Sequence, residues 1–323
     1  MITIKKPGLL STIQDLGRYG YQKYGVVVSG VMDSFSFRIA NLLVGNEENT
    51  PAIEMTIVGP SIQFHQDSLI AICGGDLSPS IDGQTISMWR PIFVKKDSTL
   101  QFGESINGAR AYLAVAGGIV VPYVMGSAST YVRGKLGGLL GRALQSGDQV
   151  EIGNLTELSK KVMDHLHTNG PAKWFVPFYK PINPIIRMLK GHEFDLFTDA
   201  SKNLLINETF TITKEADRMG YRLSGPKLMQ KEQKDMLSAA VSLGTIQITP
   251  DGSPIILLAD RQTTGGYPKI AQVISVDLPL LAQMKPMDQV RFQMVTLEEA
   301  QHLFRKNETY LTDIKRAIKL KYR

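Results

Sequence analysis

The apolar residues of this chain fall into short segments, and this pattern limits the fold more than any other feature of the sequence. The segments are about four to eight residues long, rich in Ile, Val and Phe, and bounded by Gly, Pro, Asp or Asn. Such segments are typical of strands, because helices need longer periodic patterns. They read "SIQF", "SLIAIC", "PIFVKK", "STLQFG", "RAYLAVAGG", "QVEIG", "GTIQI", "IILLA" and "QVRFQMV". The pattern predicts a mainly β fold built from barrels or sandwiches.

Helical periodicity is limited to a few stretches. They read "SFSFRIANLLVG", "LTELSKKVMDHL", "PLLAQM", "LEEAQHLFRK" and the C-terminal stretch. The pair Asp82–Gly83 separates two strand-like pieces in "SIDGQTI", which predicts a two-residue hairpin turn. The basic C-terminal stretch is expected to form a solvated amphipathic helix.

A weak internal sequence repeat predicts that the chain holds two similar halves. A Gly-Pro turn, an apolar strand followed by Gly-Gly, and an Asp-Gln-Val sequence recur in the same order in both halves. The matched positions are Pro60 with Pro226, Gly118 with Gly266, and Asp148 with Asp288. The predicted organisation is a first domain over 1–170, a second over 171–300 and a basic tail over 301–323. The boundary is expected within the Lys-, Pro- and Asn-rich stretch 154–184.

Composition and absent motifs exclude several function classes. The 323 residues include 36 Lys and Arg and 30 Asp and Glu, which gives a mild net charge of +6. The sequence lacks the alternating aromatic and basic residues that are typical of nucleic-acid-binding proteins. We therefore expect no nucleic acid and no membrane partner, and a cytoplasmic location. The single cysteine, Cys73, is interpreted as a buried apolar residue. No P-loop, no metal-ligand spacing and no Gly-x-Ser-x-Gly elbow occurs in the sequence.

The remaining candidates for chemistry lie in four loops that mix charge with glycine. The first, "TIQDLGRYGYQKYGVVVSGVMD", carries the candidates Asp15, Arg18, Ser29 and Asp33. Asp33 has a simpler role as the cap of the helix that follows, because its carboxylate can accept from helix amides. Asp15 and Arg18 can likewise form a turn salt bridge. Structural and functional roles both stay open for this loop.

Two further loops offer cations. The loop "GSASTYVRGKLGGLLGRAL" contains Ser129 and Arg133, and its glycine amides and cations suit an anionic ligand. The alternative is that its glycines form tight turns and its cations are solvated. The loop "KEADRMGYRLSG" contains Arg218 beside Asp217, for which a structural ion pair is the simplest account.

The fourth loop gives the strongest local signal. In "IILLADRQTTGGYPK" an apolar strand changes abruptly into a polar loop. Its candidates are Asp260, Gln262, Thr263, Thr264, Gly265, Gly266, Tyr267 and Lys269. We expect these groups at one rim of a barrel, lining a small-molecule pocket that Arg133 shares. The alternative is a Gly-Gly hairpin with a salt bridge.

Seven motifs together resemble one known family. They are "KPGLLSTIQDLGRYGYQKYGVVVSGVMD", "ANLLVGN", "AIEMTIVGPSIQF", "ARAYLAVAGGI", "GSASTYVRGKLGGLLGRAL", "DRMGYRLSGP" and "LADRQTTGGYPKIAQVISVDLP". Over about residues 1 to 300 the chain resembles the biotin-dependent carboxyltransferase family, also called allophanate hydrolase subunit 2. The resemblance implies two tandem cyclophilin-like β-barrel domains with a few short helices. It also implies a hetero-oligomer with the other two 5-oxoprolinase components, a KipI-like B component and an A component.

The resemblance further implies a function and its cofactors. For a stand-alone chain of this size it implies the C component of a bacterial 5-oxoprolinase, an ATP-using complex that opens the 5-oxoproline lactam to glutamate. The alternatives are the carboxyltransferase part of a biotin-dependent carboxylase and a KipA-like regulator that antagonises a kinase inhibitor. No metal is expected, no cofactor is assigned to this chain itself, and biotin enters only with the first of these alternatives.

Residue roles follow from the chemistry of lactam opening. Arg133 and Lys269 are expected to supply positive charge to the substrate carboxylate or the developing oxyanion. Gln262 and Thr263 are expected to orient the amide. Asp15, Asp33 or Asp260 would move a proton or hold a cation in place. The predicted substrate-binding residues are Arg18, Ser29, Ser129, Arg218, Thr264, Gly265, Gly266 and Tyr267.

Overall fold

A computed structural model describes residues 1–177, 185–232 and 236–323. The described chain divides into two compact units. The first contains Met1–Arg18, 33–177 and Thr309–Arg323, and the second contains Tyr19–Met32 and the described part of 185–308.

The first unit is built from two antiparallel sheets. Its strands are β1 (Ile2–Lys6), β2 (Leu10–Gln14), β3 (Ala52–Thr56), β4 (Ser61–Phe64), β5 (Ser68–Asp76), β6 (Ser80–Ile81), β7 (Gln84–Thr85), β8 (Ile92–Val94), β9 (Thr99–Gln101), β10 (Asn107–Val115), β11 (Ile119–Val120) and β12 (Gln149–Ile152). One sheet has the order β11-β12-β1-β4-β9-β6-β7 and the other β2-β3-β10-β5-β8. Apolar side chains of both sheets form one core, in which Ile4 and Phe64 meet Ile53 and Leu113.

The second unit contains a closed barrel. Its strands are β13 (Ile185–Lys190), β14 (Phe210–Ile212), β15 (Gly220–Ser224), β16 (Ala239–Ala240), β17 (Thr245–Ile248), β18 (Pro254–Leu257), β19 (Thr264–Gly265), β20 (Lys269–Val273) and β21 (Gln289–Met294). The barrel order is β13-β20-β17-β18-β15-β14-β21, while β16 and β19 form a separate two-stranded sheet. Only the β13–β21 pair among these described ladders is parallel. The predicted mainly β class is confirmed, and alternate residues such as Phe210, Ile246 and Phe292 fill the barrel core.

Helices occupy a minor part of the described chain. They are α1 (Ser34–Leu43), α2 (Glu157–Asn169), α3 (Asp199–Asn207), α4 (Leu278–Ala282) and α5 (Leu297–Lys321), with single 3-10 turns at Gln22–Tyr24, Phe194–Leu196 and Ser275–Asp277. The stretches predicted to be helical became α1, α2, α4 and α5. The prediction of only short helices is wrong for α5, which joins two predicted stretches into 25 residues.

The C-terminal helix has the amphipathic character predicted for it. Leu311 and Ile318, two turns apart, are its buried side chains. Helix α3 was not predicted, because its apolar pattern is weak. Its start signal is local: the Thr198 hydroxyl accepts from the Ser201 amide at 3.1 Å.

The short segment Tyr19–Met32 differs from the predicted organisation. The sequence placed it in a first domain over 1–170, whereas its contacts group it with the second unit. Met32 packs into the core of the second unit, which explains the grouping physically. The described residues 171–177 group with the first unit, and residues 178–184 of the predicted boundary stretch lie outside the described residues. The predicted domain limits themselves stay a prediction.

The repeated Asp-Gln-Val sequence follows the same kind of turn in both units. The Gln145 amide donates to Asp148 Oδ2 at 2.7 Å, and the Lys285 amide donates to Asp288 Oδ2 at 2.8 Å. In each turn the aspartate carbonyl accepts from the amide of a neighbouring strand, Ile4 at 2.9 Å and Ile212 at 3.0 Å. These matched hydrogen bonds support the internal duplication that the sequence predicts.

Candidate functional site

Asp15 is the centre of a buried hydrogen-bond cluster in the first unit. Its Oδ1 accepts from the hydroxyls of Ser127 at 2.6 Å and Ser129 at 2.5 Å, and from the Gly17 amide at 2.9 Å. Its Oδ2 accepts from the Ala128 amide at 2.6 Å. Asp15 and both serines are fully buried. The carboxylate therefore fixes the 127–129 backbone, a structural role that leaves it little capacity to accept another proton donor.

Arg18 holds the same loop from the other side. Its Nε donates to the Val124 carbonyl at 2.8 Å and its Nη2 to the Ser129 carbonyl at 2.9 Å. The side chain is fully buried. Gly137 lies so close to this cluster that a Cβ there would overlap the Ser129 carbonyl. The absence of a side chain at Gly137 thus permits this close packing.

The tip of the second loop projects from this anchored base. Tyr131 and Leu136 close a short hairpin by exchanging backbone hydrogen bonds of 2.8 and 3.2 Å. Arg133 and Lys135 lie at the exposed tip. Ser129, predicted to bind substrate, instead lies in the buried cluster with Asp15. The loop therefore separates into a buried, rigid base and an exposed cationic tip.

Asp33 caps helix α1, as its simpler interpretation states. Its Oδ1 accepts from the Ser36 amide at 2.9 Å and its Oδ2 from the Ser36 hydroxyl at 2.6 Å. The Asp33 amide donates to the Tyr112 hydroxyl, which donates in turn to Glu54 Oε2 at 2.8 Å. Burial, with the nearby Glu54 and Asp33 charges, raises the pKa of Tyr112 well above its usual value. This phenol stays protonated and serves as a hydrogen-bond bridge.

Cys73 lies beside this network on the neighbouring strand, opposite Tyr112. It is fully buried. Burial, and then the Asp33 charge, raises the pKa of its thiol well above the usual value. A thiol held in its neutral form is a poor nucleophile, so Cys73 is a core residue in agreement with its interpretation from the sequence.

Three of the four loops meet at one buried ion pair in the second unit. Arg218 Nε donates to Asp260 Oδ2 at 2.9 Å and Nη2 donates to Oδ1 at 3.0 Å, a bidentate pair. Asp260 Oδ1 also accepts from the Ser29 hydroxyl at 2.7 Å. Arg218 Nη2 reaches the Gly30 carbonyl at 2.6 Å. We call these four residues the Asp260 clamp, because they hold the Ser29–Gly30 turn against the ends of β15 and β18.

Lys269 lies far from this clamp. Strand β17 pairs antiparallel with both β18 and β20, so β18 and β20 run in the same direction. The connection between them must return along the barrel, which places Asp260 and Lys269 at opposite ends of the strands. Asp260 and Lys269 therefore do not share the one rim that the sequence predicts for the fourth loop.

Lys269 has its own partner at its end of the barrel. Its Nζ lies 3.3 Å from Glu193 Oε1, and its backbone amide donates to Glu193 Oε2 at 2.9 Å. Glu193 is buried and was not predicted as a site residue. The carboxylate lies beside a 3-10 turn 76 residues away in sequence, so no local pattern pairs it with the lysine.

The middle of the fourth loop is its accessible part. Gln262, Thr264 and Tyr267 are exposed, and Thr263 is half-buried. Thr264–Gly265 pairs with Ala239–Ala240 as the small two-stranded sheet. The remaining contacts are structural: a Cβ on Gly265 would meet Gln247 Nε2 at 2.7 Å, and one on Gly266 would meet the Met236 carbonyl at 3.4 Å.

The predicted site residues therefore form several groups. Asp15, Arg18 and Ser129 come together in the first unit, and Ser29, Arg218 and Asp260 come together in the second. Arg133 belongs to the first unit, while Gln262 and Lys269 belong to the second. Their shared cavity, and the catalytic and binding roles of all these residues, stay predictions.

Cavities also lie outside these groups, among them two with different linings. One, of about 360 Å³, is apolar and lies between 174–177 and the end of α5. The other, of about 430 Å³, is lined by Glu47, Asn49 and Tyr123 among others. No predicted site residue lines either cavity.

Within the described residues no cluster of three or more His, Cys, Asp or Glu is arranged to hold a metal ion. None of the described helices combines the length and apolar character needed to cross a membrane.

Comparison with known proteins shows the family of this chain. Residues 24–294 match the family model "Carboxyltransferase domain, subdomain A and B". The chain belongs to this carboxyltransferase family. It is 38% identical over 318 residues to the C component of 5-oxoprolinase from Haemophilus influenzae, covering 98% of this chain and 99% of that protein. It is 37% identical to the corresponding 5-oxoprolinase component of Escherichia coli, covering 93% of both chains. The family resemblance stated from the sequence motifs is confirmed.

Solved structures show the same fold in a much longer protein. The crystal structure of the Kluyveromyces lactis urea carboxylase matches with a TM-score of 0.85 and 31% identity. The match covers 97% of this chain and 29% of that chain. The chain therefore has the architecture of one part of a larger carboxylase, whereas it spans nearly the full length of its 5-oxoprolinase relatives.

Proposed function

We propose that this chain is the C component of an ATP-dependent 5-oxoprolinase, acting with the KipI-like B component and the A component. One observation carries the proposal: the match to the Haemophilus influenzae component extends over 98% of this chain and 99% of the relative. A protein that matches a separate component from end to end is suited to the same place in a complex. The urea carboxylase match, in contrast, accounts for 29% of that larger chain.

The proposed reaction opens a lactam, in which amide resonance makes the carbonyl carbon a poor electrophile. Stabilising the charge that develops on the lactam oxygen therefore contributes more than a strong nucleophile does. We assign substrate contact to the exposed polar groups, with Gln262 and Thr264 orienting the amide. Lys269 supplies positive charge, although it shares that charge with Glu193 at 3.3 Å.

The buried carboxylates have a different place in this proposal. Asp15, Asp33 and Asp260 each accept several hydrogen bonds from their own unit and are at most 6% exposed. We assign them to positioning the loops in place of the proton transfer expected from the sequence. A rigid loop base holds contact groups in a productive geometry without further ordering on binding.

Reconstitution tests the proposed function. The purified chain is mixed with the A and B components, ATP and 5-oxoproline, and glutamate and ADP are measured. We expect glutamate formation that requires all three proteins. The Lys269→Met variant, with folding checked by circular dichroism, is expected to lower kcat. Full activity of Lys269→Met would remove that residue from the reaction, and no glutamate from the complete mixture would refute the proposed function.

The fold match to the urea carboxylase favours one second function, transfer of a carboxyl group with biotin. In that case product formation would depend on bicarbonate and on a separate biotin carrier. The same reconstitution decides between the two, because lactam opening to glutamate requires neither. A chain that binds the KipI-like component tightly but forms no product in either mixture would instead act as a KipA-like regulator.

A further inference from the structure

We propose that the tip of the second loop is a docking surface for an acidic, partly apolar face of the KipI-like component. The surface, called the loop-tip surface, consists of Val132, Arg133, Lys135 and Leu140. The identity of the partner rests on the proposed function. The location and chemistry of the surface rest on the observations that follow.

The loop that forms this surface contributes charge of one sign. Arg133 and Lys135 are both exposed. The sequence contains no Asp or Glu between Glu104 and Asp148, so the ionised side chains of this whole segment are cationic. Cations at the rim of an interface steer an acidic partner and fix its orientation. The protein face that this surface fits therefore carries carboxylates.

The apolar members of the surface indicate burial against a protein. Leu140 is 78% exposed and Val132 is 37% exposed. A Cβ on Gly141 would overlap the Lys135 carbonyl, so Leu140 lies beside the cationic tip. Arginine is enriched at binding hot spots, and apolar side chains beside it can exclude water from such a contact.

The backbone conformation of Leu140 also costs free energy in the unbound chain. Its φ is +59°, in the left-handed region that L-residues other than Asn and Asp rarely adopt. A glycine at this position would have neither the backbone strain nor the exposed apolar side chain. The leucine thus keeps a strained backbone in the isolated chain, which is reasonable where its side chain inserts into a partner.

The loop-tip surface stands on a base that is ordered before binding. Four donors hold the Asp15 carboxylate under the 127–129 backbone, and Arg18 holds two carbonyls of the same loop. Gly138 packs so closely that a Cβ would overlap the Thr130 hydroxyl. A preorganised surface loses little conformational entropy on association, which favours its use in a stable complex.

A second copy of this chain is a poor occupant of the surface. The chain carries a net charge of +6, and the loop-tip surface concentrates cations. Two copies meeting there would bring like charges together, which opposes association. The charge argument thus selects a different protein with an acidic face.

Binding of the full-length chain to the purified KipI-like component tests the proposal. Leu140→Gly is expected to weaken binding by at least about tenfold, while its thermal midpoint equals or exceeds that of the wild type. A purely structural role for Leu140 would not give both results. The double variant Arg133→Glu with Lys135→Glu is expected to slow association by at least about tenfold at low salt and to lose most of its salt dependence.

Two matched variants serve as controls. Met287 is also apolar, 65% exposed and left-handed, with φ +76°, but lies in the second unit. Met287→Gly is therefore expected to leave binding unchanged. The double variant Lys95→Glu with Lys96→Glu makes the same charge change at another exposed turn of the first unit and is expected to bind as the wild type does.

The outcomes separate the two proposals. Unchanged binding of Leu140→Gly, or equal weakening by the control variants, would overturn the docking surface. Failure of the wild-type chain to bind the KipI-like component would overturn the docking surface together with the partner assignment. Tight wild-type binding, weakened by Leu140→Gly but without glutamate formation in the complete mixture, would support the docking surface and overturn the proposed function.

Discussion

Replacing Asp260 by asparagine is the sharpest test of the Asp260 clamp. The change keeps the size of the side chain but removes its charge and turns one of its two acceptor positions into a donor. Arg218 Nε and Nη2 now donate to both carboxylate oxygens, at 2.9 and 3.0 Å. In Asp260→Asn one of these donors must face an amide N–H, and the buried guanidinium loses its counter-charge.

The expected loss of stability follows from burial. Arg218 and Asp260 are 7% and 6% exposed, so water cannot replace the missing partner. Breaking a buried pair by removing one charge costs about 3–5 kcal/mol. One acceptor remains in the asparagine, and Arg218 keeps the Gly30 carbonyl at 2.6 Å. We therefore expect a loss of about 3 kcal/mol in the free energy of unfolding.

Urea denaturation measures this loss, and hydrogen exchange locates it. Because the clamp holds the Ser29–Gly30 turn, amides in Tyr19–Met32 should exchange faster in Asp260→Asn. The control is Asp313→Asn, which breaks an exposed pair with Arg316 and should change stability little. A stability change below about 1 kcal/mol together with unchanged exchange in Tyr19–Met32 would refute the clamp.

Three other changes test separate parts of the fold. Met287→Gly should raise stability by about 0.5–1 kcal/mol, because relief of left-handed strain exceeds the added entropy of the unfolded chain; a lower urea midpoint would contradict this. The hydrogen bond from Arg142 holds the pKa of the Asp148 carboxyl below its ordinary value of 3.8. The ionised Asp148 therefore stabilises the folded state at pH values above 3.8, and this stabilisation is lost as the pH falls through the lowered pKa. The stability difference between the wild type and Asp148→Asn should therefore shrink on going from about pH 6 to about pH 3, and a constant difference would contradict the pairing. Tyr112→Phe removes the hydroxyl that bridges a buried amide and Glu54, which should cost at least about 2 kcal/mol; thermal unfolding equal to the wild type would refute the bridge.

Features with a local physical cause were predictable from the sequence. The Asp82–Gly83 hairpin is one example: Ile81 pairs with Gln84, and the two turn residues have φ of +50° and +80°. These are the angles that an Asp-Gly turn favours, because both central residues must be left-handed. The Asp33 cap and the strand segments are equally local, since each depends on residues within a few positions.

Pairing over long sequence distances was not predictable in the same way. Lys269 and Asp260 are close in sequence but lie at opposite ends of the barrel, because both flanking strands pair with β17. Ser29 and Asp260 are 231 residues apart and form a 2.7 Å hydrogen bond. Strand order decides both results, and no short-range pattern in the sequence specifies it.

The hydrogen-bonding capacity that makes a residue a candidate for catalysis in the sequence can equally give it a structural role. An aspartate accepts several hydrogen bonds and an arginine donates several, so either can fix a glycine-rich loop that has few apolar contacts. Asp15 does this for the second loop, and Arg218 does it for the Ser29–Gly30 turn. Distinguishing the two roles requires knowing whether the lone pairs and N–H groups are already used, which depends on the fold. Because they are used at these buried positions, the exposed Gln262 becomes the better target for tests of substrate contact.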